Sequence, residues 1–262
     1  MPAESRDVPS AGRLIGEAVG HWIRHPRSFW PLGGTCTAGL GILKILALSG
    51  IGPSGFSGVV AITYIFVLDQ WFKRFLFDDW TQRATLLDRN ATSWTGAALP
   101  RWRFIAFCLG YCLLVTLTAV ALFLFLAPGL FGGALTTNIL AMSAASQAIA
   151  MLAGALAFGS FLLFLPASIA GLRWNLGDAF REATGLHLPL LRLALFSTFV
   201  SLLGPALLVG IGLLMPVGWL LLACQVLAIL IDMIALHVLA YGVSRLFIAQ
   251  TGWRAEPLDR LS

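Results

Sequence analysis

Six long apolar runs, separated by polar segments, are the main pattern along this chain. The runs lack both the alternation of half-buried strands and the one-sided periodicity of helices in soluble proteins. Most of them exceed the roughly 20 residues that a helix needs to cross a membrane. Because backbone groups in lipid must pair within their own segment, each run is predicted to be a transmembrane helix. The predicted spans are residues 29–51, 56–72, 104–126, 139–165, 190–214 and 217–244.

The predicted fold class is therefore all-α, a polytopic membrane helix bundle with six transmembrane helices and interfacial amphipathic helices on the cytoplasmic side. The interfacial helices are expected in 11–23 and 176–186, where apolar residues recur at helical spacing, and more weakly in 80–87. Alternatively, these segments are helix extensions that pack on the bundle. The predicted divisions are a cytoplasmic N-terminal segment 1–28, a membrane domain 29–248 and a cytoplasmic tail 249–262.

The basic residues give the predicted orientation. Of the 17 Lys and Arg, all except Lys44 lie before span 1, between spans 2 and 3, around the junction of spans 4 and 5, or at the C-terminal end. The positive-inside rule makes that side, and both termini, cytoplasmic. Only 11% of the residues are charged, against about 25% in a soluble domain. The net charge of +5 predicts contact with anionic membrane lipids. No nucleic acid partner is predicted, because the sequence has no compact basic run with interleaved aromatic residues.

Charged residues within a span are costly in lipid, so each is a candidate for function. Lys44 in span 1 is expected either to extend its side chain to the outer interface or to pair inside the bundle. Asp69 near the inner end of span 2 is expected to pair with Lys73, one helical turn later. These structural interpretations account for both residues without a ligand.

Asp232 in span 6 is harder to explain structurally, because no basic residue lies one turn away. His237 is five residues further on, about 140° around the helix, so the two do not share a face. Asp232 is expected to pair across the bundle, with Tyr241 or a residue of span 2, or to act as a proton or cation relay. Short stretches of sequence that recur at a near-constant offset predict a parallel repeat, in which Asp69 and Asp232 are equivalent positions. The two residues are also expected to lie at similar depth in the bundle.

Small residues in span 4 predict close helix packing. Ala150, Gly154, Ala155 and Gly159 stand at spacings that allow backbones to approach one another. Span 4 is therefore predicted to be the central helix, with span 1 as a neighbour. Pro205 is expected to kink span 5, because it removes one backbone hydrogen bond and crowds the preceding turn.

The other chemistry-bearing residues form no recognisable site. The four cysteines all lie within predicted spans and are expected to be buried apolar residues. His21 and His25 are four residues apart in the basic N-terminal segment and are expected to be solvated. No catalytic residue, metal site or cofactor is predicted.

Three short stretches carry a resemblance to known proteins. They are Leu165-Pro166-Ala167-Ser168 leading into Gly177-Asp178-Ala179-Phe180, the return into span 5, and the closing Ala240-Tyr241 with Arg245-Leu246-Phe247. In these stretches and in topology, the chain resembles six-span bacterial inner-membrane proteins of the glycerophosphodiester phosphodiesterase membrane-domain type. The resemblance implies a bacterial inner-membrane setting. It implies no activity, because the catalytic domain of those fusions has no counterpart here.

Two main hypotheses for the function follow. The basic aromatic side and the interfacial helices favour an accessory, scaffold or lipid-contacting component of a membrane assembly, with a membrane-protein partner or a homo-oligomer. The intramembrane Asp232 and Asp69, the repeat and the kinked span 5 favour a small transporter or channel-like protein. A membrane-embedded enzyme acting on lipids is a third hypothesis, for which the sequence offers neither paired acids nor a nucleophile with a base.

Overall fold

The computed structural model describes residues 9–48, 56–77, 102–126, 135–214 and 218–253. These segments form helices and turns with no strand among them, so the predicted all-α class is confirmed. The α-helices are α1 Ala11–Arg24, α2 Pro26–Phe29, α3 Thr35–Leu48, α4 Phe56–Leu76, α5 Trp102–Leu126, α6 Leu135–Phe158, α7 Phe164–Ile169, α8 Leu176–Glu182, α9 His187–Leu214 and α10 Gly218–Thr251.

Within the described segments, three helices are long and apolar enough to cross a membrane: Trp102–Phe125 in α5, His187–Gly204 in α9 and Ala223–Thr251 in α10. Ala145–Phe161 forms a shorter apolar helix. Six such helices were predicted, so length and composition support only three of them. Of the others, α3 has only 14 residues, and the 21 residues of α4 include three charged ones near its end.

Span 1 was predicted as one helix from residue 29 to 51, and its described part, 29–48, is helical throughout. Between α2 and α3 this helix contains a π-helical turn, Trp30–Gly34. Pro31 has no backbone N–H and crowds the preceding turn, which disrupts regular α-helical pairing. A Cβ at Gly33 would lie 2.7 Å from the Phe29 ring, so the ring occupies the space that the missing side chain leaves.

Span 4 was predicted as one helix from residue 139 to 165 and is interrupted. After α6 the chain forms a 3-10 turn, Gly159–Phe161, and then the short helix α7. The interruption lies just before Pro166, which occupies the first turn of α7, where its missing N–H has no helical partner to lose. By contrast α10 continues to Thr251, past the predicted end of span 6 at residue 244, and Gly252 with φ +65° follows its last residue.

Five helices are arranged as a ring. α10 packs on α4 and α9, α9 packs on α6, α6 packs on α5, and α5 packs on α4. Outside this ring, α1 and α3 pack on α10. The prediction that span 4 is central, with span 1 beside it, is therefore wrong: α10 has the central position, and α3 packs mainly on α10 and α4. Small residues explain the central position of α10. Gly41 of α3 leaves room for Val226 of α10, and Gly204 of α9 leaves room for Ala228 of α10.

The amphipathic helix α1 begins at the N-cap Ser10, whose side chain accepts a hydrogen bond from the Arg13 backbone N–H. Leu14 and Ala18 are fully buried, so this helix packs on the bundle, as the alternative interpretation predicted. α8 is shorter than the predicted 176–186 helix. Its Phe180 is 46% exposed, as an interfacial helix requires. The segment 80–87 lies outside the described residues.

Aromatic and basic side chains join several elements at one end of the bundle. Phe77 after α4 contacts Trp253, and Trp174 before α8 contacts Phe247 of α10. The Arg103 guanidinium at the start of α5 donates to the Trp174 carbonyl oxygen at 3.3 Å. We call this group of five residues the basic end. It brings together three chain regions that the charge pattern had assigned to a single side.

Large apolar side chains are exposed on the outer faces of the ring. On α5 they form one stripe at spacings of three or four residues. The stripe consists of Leu109, Leu113, Leu117, Val120 and Leu124. Contiguous apolar surface of this kind is unusual on a monomeric protein in water and is typical of a helix that faces lipid or a partner.

Candidate functional site

A cavity of about 400 Å³ lies inside the ring of five helices. Each helix of the ring contributes to its wall: Tyr64 from α4, Tyr111 from α5, Met151 from α6, Ser201 from α9 and Asp232 from α10. The volume is within the range of about 300–1,000 Å³ that is typical of small-molecule sites. The cavity is therefore the candidate functional site in the described part of the chain.

Asp232 is the charged residue of this cavity wall. The Tyr64 hydroxyl donates a hydrogen bond to its Oδ2 at 2.9 Å, and the Ser201 hydroxyl also interacts with its carboxyl group. The sequence interpretation that Asp232 pairs with a residue of span 2 is thus confirmed, whereas the described bonds give it no link to Tyr241. Asp232 keeps part of its surface accessible, so the carboxyl group remains open to a molecule in the cavity.

Other hydroxyl groups line the same wall. Ser197 donates to the Ala235 carbonyl oxygen at 3.2 Å, which ties α9 to α10. The Thr198 and Tyr111 side chains interact across the cavity wall, from α9 and α5. These hydroxyl groups therefore lie in the same cavity wall as Asp232.

Another part of the wall is apolar and aromatic. Phe107 and Phe158 meet edge to face with ring centroids 5.3 Å apart, and Tyr111 meets Phe158 in the same way at 5.6 Å. Ala155 and Ala194 add small side chains to the wall. The cavity wall therefore combines a charged, hydrogen-bonded part with an aromatic, apolar part.

Asp69 is placed differently. Its carboxylate pairs with the Lys73 ammonium at 2.7 Å, and both side chains are buried, at 0% and 6% exposed. The Gln70 side-chain amide donates to the same oxygen at 3.0 Å. The predicted i,i+4 pair is confirmed, but as a buried pair. Among the described lining residues of the cavity, Asp232 is present and Asp69 is not.

The positions of Asp69 and Asp232 along the bundle follow from the contacts between α4 and α10. Trp71 contacts His237, and Phe75 contacts Tyr241, so the two helices run parallel. Asp69 comes two residues before Trp71 and Asp232 five residues before His237, so Asp69 lies about 4.5 Å nearer the basic end. Their similar depth stays a prediction, as does the repeat in which they would be equivalent.

His237 lies on another side of α10, in an aromatic cluster. Its fully buried ring contacts Trp71 and Phe75 of α4, each at 5.1 Å between centroids, and Phe29 at 5.5 Å. His21 of α1 packs beside it at 6.1 Å. His237 serves here as a packed aromatic ring, and among the described residues neither ring nitrogen has a hydrogen-bond partner.

His21 was expected to be solvated, but it packs between its neighbours His25, His237 and Tyr241. Burial, followed by the repulsion from His25 and from nearby arginines, holds the pKa of His21 below its usual value. A neutral His21 is therefore favoured when α1 is packed on the bundle, and this contribution to stability is lost as the pH falls below about 6.5.

The predicted packing residues of span 4 are at helix contacts. Ala150, Gly154, Ala155 and Gly159 are all buried. A Cβ at Gly154 would lie 2.7 Å from Val115 of α5, and one at Gly159 would lie 3.2 Å from Leu191 of α9. The prediction of close packing is confirmed, and α6 fits between α5 and α9 because of these positions.

Two further predicted residues lie away from the cavity wall. Lys44 is partly exposed on α3, and its extension to the outer interface stays a prediction. The helix α9 continues through Pro205 from His187 to Leu214, and the predicted kink likewise stays a prediction. Neither residue is among the described lining of the cavity.

Sequence reasoning missed the partners of Asp232. Ser197, Thr198 and Ser201 stand at helical spacing on one face of an otherwise apolar span, which is a readable signal for a polar wall. Two of the three tyrosines in the chain, Tyr64 and Tyr111, also line the cavity. Their pairing across helices has no signature in a single sequence.

Among the described residues, no group of three His, Cys, Asp or Glu side chains could hold a metal ion. Comparisons with family models, with curated proteins and with solved structures return no match for this chain. The resemblance to six-span bacterial membrane proteins therefore stays a prediction, and the functional argument depends on the cavity.

Proposed function

We propose that this chain is an integral membrane protein of the bacterial inner membrane, with six spans and both termini in the cytoplasm. The six elements α3, α4, α5, α6, α9 and α10 correspond to the six apolar runs. The exposed apolar stripe of α5 supports contact with lipid. The contacts at the basic end support a common side for the segments that carry most of the basic residues.

Within that membrane setting, we propose that the protein is a small transporter or channel-like protein that binds its solute in the cavity. The observation that carries this proposal is the carboxyl group of Asp232, which is hydrogen-bonded to Tyr64 and faces a cavity inside the bundle. Ionisable groups within membrane helices are costly and commonly mark pathways for substrates, ions or protons. Asp69 supports the packing of α4 rather than the site, because its pair with Lys73 is local.

The orientation predicts a clear labelling pattern in intact cells. After the four native cysteines are replaced, we expect Ala134→Cys to react with a membrane-impermeant maleimide added from outside. Thr92→Cys should react only after the inner membrane is permeabilised. Outside labelling of Thr92→Cys, or recovery of the protein without detergent, would contradict the six-span arrangement.

The transport role predicts flux through purified protein in liposomes. We expect at least one solute, from a panel of small cations, anions, neutral compounds and protons, to cross faster than in empty liposomes. Asp232→Asn should abolish this flux, because it removes the charge from the cavity wall. Glu182→Gln, on an exposed position of α8, is the matched control and should leave the flux unchanged.

A second pair of variants tests the cavity itself. Ala155→Trp places a large ring in the cavity, whereas Leu156→Trp places it on the outer face, where Leu156 is 56% exposed. We expect only Ala155→Trp to block flux. Absence of flux for every solute, or equal flux in both variants, would overturn the transport role.

The second candidate is an accessory or lipid-contacting component of a membrane assembly. It is favoured by α8, where Leu176 and Phe180 are both 46% exposed. A helix with exposed apolar side chains is suited to the surface of a membrane. Co-purification of anionic lipid or of a membrane-protein partner in mild detergent, together with absent flux, would favour this role over transport.

A further inference from the structure

The charge balance of the cavity wall indicates what kind of molecule it accepts. Among the described lining residues, Asp232 is the single acidic side chain, and none is Lys, Arg or His. The ion pairs in the described segments do not include Asp232. Tyr64 and Ser201 supply hydroxyl dipoles but no positive charge. An ionised carboxylate in such surroundings is costly unless a cation pairs with it, and without a cation it is relieved by taking up a proton.

The remaining wall adds a second requirement. Phe107, Phe158 and Tyr111 form a continuous aromatic group in the cavity wall. The faces of such rings attract cations, and their surface favours an apolar body. A strongly hydrated inorganic ion would leave this part of the wall unused, whereas a molecule with an apolar group and a positive charge would satisfy both parts.

We propose that the cavity binds a lipophilic organic cation, with its positive charge against Asp232 and its apolar body against the aromatic wall. This inference rests on the proposed binding function of the cavity and names the class of solute. Tyr64 is a positioning residue, because its hydrogen bond holds the Asp232 carboxyl group toward the α4 side of the cavity. The volume of about 400 Å³ accommodates a substituted aromatic ammonium compound.

The test uses three probes of the same shape and different charge. They are benzyltrimethylammonium, its uncharged carbon isostere neopentylbenzene, and the anion phenylmethanesulfonate. Binding to the purified full-length protein in detergent is measured by calorimetry. We expect the cation to bind about tenfold more tightly than the neutral probe, and the anion most weakly, because the Coulomb term changes sign between them.

Variants of Asp232 test whether this residue causes the preference for the cationic probe. Asp232→Asn should reduce the affinity for the cation about tenfold and leave the neutral probe nearly unchanged. Asp232→Glu should retain the preference, and Glu182→Gln is the matched control. If Asp232→Asn does not fold, the ranking of the three probes on the wild-type protein still decides the matter.

The outcomes separate the two proposals. Equal binding of cation and neutral probe, or tighter binding of the anion, would overturn the cationic class while leaving the cavity as a binding site. An effect of Glu182→Gln as large as that of Asp232→Asn would also overturn it. If none of the three probes binds and no solute moves in the liposome assay, the binding function of the cavity itself is overturned.

Discussion

Replacement of Lys73 by Met will lower the free energy of unfolding by about 3–5 kcal/mol, the largest effect expected for a single substitution here. Asp69 and Lys73 have side chains that are 0% and 6% exposed, with 2.7 Å between the carboxylate and the ammonium. Methionine keeps the volume of the lysine stem but removes its charge. The carboxylate of Asp69 then remains buried, and the ammonium group of Lys73 no longer offsets the cost of its desolvation.

This expectation is measured by reversible unfolding in mixed micelles. The matched control is Arg13→Met, which removes the cation of another i,i+4 pair, Arg13 with Glu17. The Arg13 side chain is 72% exposed, so its loss should cost less than about 1 kcal/mol. Asp69→Asn combined with Lys73→Met should recover part of the loss. Equal losses of unfolding free energy in Lys73→Met and Arg13→Met would show that the buried pair stabilises the protein no more than the exposed pair.

Replacement of Gly204 by Ala will lower the free energy of unfolding by about 1–3 kcal/mol, although alanine is the better helix former. A Cβ at Gly204 would lie 2.6 Å from the Ala228 Cβ and 2.8 Å from its Cα. The second contact is to backbone, so α9 and α10 must move apart to relieve it. Gly204→Leu should be worse still, because the longer side chain requires a wider separation.

Gly210 in the same helix provides the control, since a Cβ there would meet nothing within 4 Å. We expect Gly210→Ala to be neutral or to raise stability by up to about 1 kcal/mol, because it reduces the freedom of the unfolded chain. Thermal unfolding in detergent, monitored by the loss of monodisperse protein, compares the two variants. A similar midpoint for both would contradict the close contact of α9 with α10.

The sequence was sufficient for the features that depend on neighbouring residues. Asp69 and Lys73 pair because they stand one turn apart, and Gly154 and Gly159 lie at helix contacts because small residues let a neighbouring helix approach. The α-helical class follows from the length of the apolar runs. The π-helical turn in span 1 was missed, because hydropathy does not register how Pro31 and the ring of Phe29 alter the turn before α3.

The cavity could not be predicted from the sequence, because its wall depends on which helices are neighbours in the folded bundle. Asp232 was correctly singled out by its isolation in an apolar run, yet Tyr64 is 168 positions away from it. The central role of α10 was missed for the same reason. The small residues of span 4 indicated that this span was the central helix. Only the folded bundle shows that Gly204 of α9 leaves room for Ala228 of α10.

The length of α10 joins two distant parts of the molecule. Its 34 residues form one continuous helix, about 51 Å long, with Asp232 near the middle and Phe247 in the aromatic contacts of the basic end. The roughly 28 Å of helix between Asp232 and Thr251 therefore connect the cavity wall, without a break, to the contacts made by Trp174 and Phe77.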